Sequence, residues 1–259
     1  MDRLLERLRE AFDEPDVASE AREHLARAKA LGMRSDWHGT EKDLDFGRLV
    51  VAVNRILPPG GSIETGVLYG GTSALLIMSC APGAFHLSID PYGLLKDEFW
   101  GDDSLAWDTA RGALRRLHQL ADDRGVNYSH YLLDSQTFIR ADLLRHPGRF
   151  NIVHLDGDHS FPTVTAELLY FTEKLTGPVV FIMDDHDDNF PGVNRALVGF
   201  HDVLTEIFHR RYDRPPEGIV GFSAWLYPGR PAPSPGLRLR RQAPGIASRL
   251  VTRLHHRRK

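Results

Sequence analysis

The sequence predicts an α/β fold: a doubly wound, mostly parallel sheet with an antiparallel edge strand and a helical amino-terminal cap. Three observations predict it. From Gly61 to Tyr227 short apolar runs alternate with longer stretches of helical spacing, the rhythm of strand-helix-strand units. The runs are apolar nearly throughout, as strands covered on both faces must be. The first 35 residues lack this rhythm and read as helix alone.

Each element follows in order. Leu4, Leu5, Leu8 and Phe12 recur at spacings of three and four, and Ala21, Leu25 and Ala28 resume after the Glu14-Pro15 break. Strands are expected near Ser62 to Thr65, Phe85 to Ile89, Val126 to Leu133, Phe150 to Leu155 and Val179 to Met183. Helices are expected between and after them, near Gly71 to Cys80, Ser104 to Asp123, Gln136 to Arg145, Phe161 to Leu175 and Val193 to Phe208. Gly218 to Tyr227 reads as a further strand, pairing antiparallel at the far edge after the Pro215-Pro216 turn. Residues 1–60 then form a helical cap, 61–228 the main domain and 229–259 a basic tail, in which Ile246, Leu250 and Leu254 recur among arginines.

Composition narrows the function. At 259 residues, against about 150 per domain, the chain is one large domain with appendages, and 42% hydrophobic residues suffice for a core. The lone Cys80 excludes a disulfide framework and a multi-thiolate zinc site. No apolar run nears the roughly 18 residues of a membrane span, and the charged start is unlike a signal peptide, so a cytoplasmic protein is expected. The tail holds nine arginines and lysines and no acid, which leaves 23 basic against 35 acidic side chains elsewhere, a net of −12. An acidic body repels a phosphate backbone, so nucleic acid is not the expected partner.

In an open parallel sheet the ligand crevice lies at the carboxyl ends of the strands. The five parallel strands end here in Glu64 with Gly66, Gly70 and Gly71; in Asp90; in Asp134-Ser135; in Asp156, Asp158 and His159; and in Asp184, Asp185 and His186. Like charges converging on one edge destabilise one another unless a cation or a hydrogen-bonding ligand offsets them. The loop from Glu64 to Ser73 lacks the lysine of a phosphate-binding loop and the glycine spacing of a dinucleotide fingerprint, so a cationic or hydroxylated ligand is expected there. Asp90 is placed to accept hydrogen bonds from ribose hydroxyls.

Glu64-x-Gly66 with its paired-glycine helix start, followed by Asp90 and Asp134-Ser135, resembles the class I S-adenosylmethionine-dependent methyltransferases, a Rossmann-like family, over about Ser62 to Tyr227. Asp156-Gly157-Asp158, Asp184-Asp185 and Pro191-Gly192-Val193 make it similar to the metal-dependent sugar O-methyltransferases of antibiotic biosynthesis, the macrocin O-methyltransferase type, and to the cephalosporin-hydroxylase-like group. The chain departs from the macrocin pattern at Leu68-Tyr69, His159 and His186. The resemblance implies that Glu64, Gly66, Gly70, Thr72, Ser73, Asp90, Asp134 and Ser135 bind S-adenosylmethionine. It implies further that Asp156, Asp184 and Asp185 hold Mg²⁺ or Mn²⁺ and that Asp158 is the base; His159, whose ordinary pKa suits a general base, is the second choice.

The chemistry is consistent with these expectations. A sugar hydroxyl is a poor nucleophile near neutrality, so its methylation requires a cation for the forming alkoxide, a base and alignment with the sulfonium. Oxygen-only ligands suit magnesium, whereas zinc would draw on His159 and His186. If the strand pattern continues past Leu155, Asp156 and Asp158 share a face; the alternative for Asp158 is a helix cap before Phe161. Asp187 and Asp188 fit better as loop caps than as further ligands. The long aromatic stretch from Tyr92 to Trp107 is read either as a lid that binds acceptor or shields the site or as a helix-packing loop, and Trp37 and His38 as packing residues. The partner is a small hydroxylated acceptor such as a glycoside, and the amino-terminal helices offer a surface for self-association. A phenol or catechol O-methyltransferase, a metal-dependent hydrolase and a scaffold that has lost its reaction remain alternatives.

Overall fold

The computed structural model describes residues 1–33, 40–91, 104–146, 148, 150–214 and 218–230. Three helices come first: α1 (Asp2–Asp13), α2 (Pro15–Ala30) and α3 (Glu41–Ile56). Pro15 opens α2, where its missing N–H costs nothing, and extended Glu14 turns the chain between α1 and α2. The alternating part follows as β1 (Gly61–Thr65), α4 (Gly71–Ser79), β2 (Phe85–Ile89), α5 (Ser104–Arg124), β3 (Asn127–Tyr131) and α6 (Ser135–Arg140). It continues with β4 (Phe150–Leu155), α7 (Phe161–Lys174), β5 (Val179–Asp184), α8 (Pro191–Val198), β6 (Thr205–Arg214) and β7 (Gly218–Tyr227).

One seven-stranded sheet results, in the order β3-β2-β1-β4-β5-β7-β6. Its first five strands run parallel, and the β7 pairings to β5 and β6 are antiparallel. Every residue of β1, β4 and β5 is buried, because helices cover both faces. On one face Leu49 of α3, Leu75 of α4 and Leu117 of α5 pack on Ile152, Val180 and Ile182. On the other, Phe138 of α6, Phe171 of α7 and Ala196 of α8 pack on Val153, Phe181 and Met183. The alternation of adjacent strand residues between the two cores is the period-2 geometry of a strand.

Two expectations are corrected. Helical spacing through Val193, Ala196, Leu197, Phe200 and Leu204 suggests a helix to Phe208, but α8 stops at Val198 and Thr205 begins β6. Ile207 then inserts into the core, and the Phe208 ring packs tilted against Phe12 at 4.8 Å and edge-on to Phe222 at 5.7 Å, contacts made from an extended chain beside β7. As a result β7 lies inside the sheet and β6 forms the edge. The helix expected over Gln136 to Arg145 ends at Arg140, where Asp142 takes a left-handed backbone (φ 49) and accepts bonds from Tyr170 and Lys174. The tail beyond Arg230, Trp37 and His38, and residues 92–103 of the stretch read as a lid lie outside the described residues, while Ser104 to Trp107 of that stretch open α5. Among the described residues no helix is long and apolar enough to cross a membrane.

The amino-terminal helices are joined to the sheet by polar contacts as well as by packing. Arg9 Nε donates to the Ile207 carbonyl at 2.9 Å, and Tyr212 of β6 donates its hydroxyl to Asp45 of α3 at 2.8 Å. Arg48 of α3 donates to the Phe12 carbonyl at 3.0 Å and lies over the Phe12 ring.

Candidate functional site

The strand order reverses between β1 and β4: β2 and β3 extend to one side, and β5 with the hairpin to the other. The connections diverge there and leave a crevice at the carboxyl ends. Gly66 and Asp156 meet at this point, with the Asp156 amide donating to the Thr65 carbonyl at 2.9 Å and the Gly66 amide to the Ile89 carbonyl at 3.0 Å. Gly66 is left-handed (φ 79), and a Cβ there would fall on the carbonyl oxygen of Asp156. Gly66→Ala is therefore expected to lower stability by at least about 1–3 kcal/mol, measured by urea unfolding. An unchanged midpoint would show that the crossing of the two strands is not tight.

Two carboxylates hold the glycine loop. Glu64 is fully buried, and its oxygens accept the hydroxyls of Thr72, at 2.6 Å, and Ser73 in the first turn of α4. His154 Nδ1 lies 3.2 Å away and His86 Nε2 3.7 Å away. Burial alone would raise the Glu64 pKa, but the hydrogen bond and charge of His154, with His86 and Ser73, hold it below the ordinary value. Asp90 closes the loop from the side, its Oδ2 accepting from the Val67 amide at 2.6 Å and the Leu68 amide at 3.2 Å. Gly70, also left-handed (φ 78), caps α4. Of the residues expected to bind the cofactor, Glu64, Gly66, Gly70, Thr72, Ser73 and Asp90 thus belong to one rigid unit, in which Glu64 and Asp90 brace the loop.

Asp134 and Ser135 follow β3. Asp134 caps α6, accepting the Thr137 amide and hydroxyl at 2.8 Å each. Glu167 of α7 is a buried acid pushed up to about 7 by burial, an effect that the nearby Ser135 and Thr65 only partly offset.

Beyond the loop, three carboxylates converge. Ligand atoms of His154, Asp156 and Asp184, and of Asp156, His159 and Asp185, form two groups, within each of which all atoms lie within 4.8 Å of one another. His159 links the second group, Nε2 at 3.5 Å from Asp156 and Nδ1 at 3.3 Å from Asp185. Lys42, from the first turn of α3, enters from the far side: its Nζ lies 2.5 Å from Asp184 Oδ1 and 3.7 Å from Asp185 Oδ1, with 3% of its side chain exposed. Asp185 is left-handed (φ 49), a strained backbone of the kind that clusters at functional sites.

Crowding is visible in the proton affinities. Burial, then the charge of Asp184, raise the pKa of Asp156 and of Asp185. Burial would do the same to Asp184, but Lys42 and then His154 lower it. Burial would lower His159, but Asp156, Asp185 and Asp184 outweigh it and hold the imidazole above its ordinary value. Three acids, two imidazoles and one ammonium thus share one small volume.

Asp158 lies outside this cluster. Its carboxylate accepts the Ser160 amide at 2.9 Å, the Ser160 hydroxyl at 2.8 Å and the Thr163 hydroxyl at 2.6 Å, fastening the start of α7. Burial would raise its pKa, but the Thr163 and Ser160 bonds keep it below the ordinary value. His186 is turned away, bonded to Ser223 at 2.6 Å and stacked on His209 at 4.0 Å. Asp187 accepts amides from Asn189 and Gly221, and Asp188 pairs with Arg211, so both secure their loop.

A cavity of about 450 Å³ opens beside the cluster, lined among others by Asp158, His159, Phe161, Phe190 and Arg195. The Phe190 ring stands edge-on to His159 at 4.7 Å, and Arg195 lies over Phe161 at 4.6 Å.

Comparison with solved structures shows what this architecture is shared with. An O-methyltransferase from Bacillus cereus, in complex with SAH, superposes with a TM-score of 0.53 at 15% identity, over 81% of this chain and 90% of that one. TomG from Streptomyces achromogenes, an O-methyltransferase of tomaymycin synthesis in complex with SAM, gives 0.54 at 16% identity, over 84% and 92%. The chain has the fold of these O-methyltransferases. No family model and no curated sequence matches it.

Three residues of this O-methyltransferase fold escape a reading of the sequence. His154 carried a signal, since it lies two positions before Asp156, near the end of β4. Glu167 carried one too, as an acid in the apolar stripe of Val164, Leu168 and Phe171. Lys42 carried none, because only the packing of α3 brings it to the end of β5.

A pH effect follows from the buried imidazoles. His86 is fully buried, bonded to Ser62 at 2.8 Å, and burial depresses its pKa to about 4. The unfolded chain takes up this proton below about 6.5 and the folded chain only near 4, so stability falls as pH drops through that window. His86→Gln is expected to flatten the slope by up to about 1.4 kcal/mol per pH unit. Equal slopes in urea titrations at pH 6 and 5 would show that His86 does not titrate as described.

Proposed function

We propose that the protein is an S-adenosylmethionine-dependent O-methyltransferase that uses Mg²⁺ or Mn²⁺ and acts on a hydroxyl of a sugar or glycosylated metabolite. The observation that carries this reading is the convergence of Asp156, Asp184 and Asp185 beside the glycine loop, at the reversal of strand order. The chemistry of the donors fits a divalent ion: Asp156 lies within 4.8 Å of Asp184 in one ligand group and of Asp185 in the other, and Asp156 and Asp185 both have raised pKa values. Asp156, Asp184 and Asp185 would hold it, with His154 and His159 at hand, and such an ion supplies stabilisation of a forming alkoxide. S-adenosylmethionine supplies the methyl group.

The chain's own residues do the rest. Gly66, Gly70, Thr72 and Ser73 shape the cofactor loop, Glu64 and Asp90 keep it rigid, and Asp134 and Ser135 border it from β3. His159, on the wall shared by carboxylate cluster and cavity, is held protonated by Asp156, Asp185 and Asp184, and would take the acceptor's proton only once a bound cation neutralises those acids. Asp158, its oxygens committed to Ser160 and Thr163, holds that wall in place. Phe190, 39% exposed, offers an aromatic face to an acceptor ring, and a cavity of about 450 Å³ suits a small glycoside better than a macromolecule. Residues 61–228 are the catalytic unit in this reading.

The test is mass spectrometry of glycosides and of catechols incubated with S-adenosylmethionine, with and without EDTA. Methylated glycosides that disappear with EDTA support the proposal. Methylation confined to catechols moves the acceptor to the phenol class, and methylation indifferent to EDTA removes the metal. Calorimetry that finds no S-adenosylmethionine binding favours a metal-dependent hydrolase.

A further inference from the structure

Lys42 is out of place by every local criterion. It sits in the first turn of α3, where the helix dipole already presents positive charge and an acid is the stabilising choice. Its side chain is 97% withdrawn from solvent, although an ammonium is among the groups least often buried. What offsets both costs is the pair at the end of β5. The ammonium reaches both Asp184 and Asp185, and the Asp184 side chain is itself only 4% exposed.

We infer that Lys42 is a tethered counter-cation of the carboxylate cluster, present to stabilise Asp184 and Asp185 in the metal-free chain and to weaken the cluster's hold on a divalent ion. This rests on the metal reading above. A dication bound by Asp184 and Asp185 would stand close to the ammonium, where two positive charges in a poorly screened interior repel strongly. The ammonium must therefore withdraw or be tolerated, and either lowers affinity. In return the end of β5 does not depend on metal to fold, because a buried carboxylate keeps a partner. Lys42 comes from outside the alternating part of the chain, so α3 sets an ion-binding property of the sheet.

The experiment is calorimetric titration of the full chain with Mn²⁺ for wild type, Lys42→Met and Lys42→Gln, together with melting curves with and without Mn²⁺. Removing the charge is expected to tighten Mn²⁺ binding at least tenfold, and Mn²⁺ should raise the melting temperature of the variants by more than that of the wild type. Equal or weaker Mn²⁺ binding by the variants, with the wild type still binding, overturns the inference and leaves the metal reading intact. No Mn²⁺ binding by any of the three proteins removes the metal reading and the inference with it. Should both variants be unfolded without metal, recovery of the fold on refolding with Mn²⁺ supports the counter-cation role, and failure to recover overturns it.

Discussion

Replacing His159 with alanine is expected to slow methyl transfer by roughly 10²- to 10⁴-fold, the usual contribution of a positioned acid or base, with S-adenosylmethionine affinity unchanged. The reason is position. His159 touches Asp156 and Asp185 through its two nitrogens and also lines the cavity, so it alone spans cluster and acceptor wall among the described residues. Asp158→Asn is the comparison. Its carboxylate accepts three bonds at the start of α7 and is held ionised below the usual range, so its loss is expected to be under about tenfold, below the range of a catalytic base. Single-turnover rates over a range of pH settle the matter. A large loss in Asp158→Asn with a small one in His159→Ala would make Asp158 the base and confine His159 to neutralising the carboxylates.

The second large effect is on stability. Asp184→Asn removes the charge that faces Lys42 at 2.5 Å in a dry environment, and is expected to cost about 3–5 kcal/mol, the range for breaking a buried pair from one side. Asp185→Asn should cost clearly less, since that oxygen stands 3.7 Å from the ammonium and its side chain is 15% exposed. Urea unfolding in EDTA checks both without reference to turnover. Equal losses would mean that the ammonium is shared evenly and that the geometry at Asp184 is not special.

The fold was largely legible because strand rhythm is a local property. β2 and β4 begin and end where the apolar runs do, and β1 and β5 differ by one residue. β6 was hidden by a coincidence: Phe200 and Leu204 continue the helical spacing of α8, and a bulge between Glu206 and Phe208 spoils the alternation that would mark a strand. The site was half legible for a similar reason. Acids at strand ends are readable one strand at a time, so Asp156, Asp184 and Asp185 could be named before their proximity was known. What each does depends on neighbours distant in the chain. Nothing near Glu64 shows that Thr72, Ser73, His154 and His86 surround it, or that Asp90 will be drawn to the amides of Val67 and Leu68. Lys42 lies 142 positions before Asp184, and no periodicity links them.

The embedding of α3 bears on what can be cut away. A variant beginning at Gly61 keeps every strand of the sheet, yet it loses Lys42 from Asp184, Asp45 from Tyr212 and Leu49 from the apolar cover of Ile152, Val180 and Ile182. The piece that looks dispensable in the linear order is a wall of the carboxylate crevice, and its deletion would be felt first at the acids rather than at the surface.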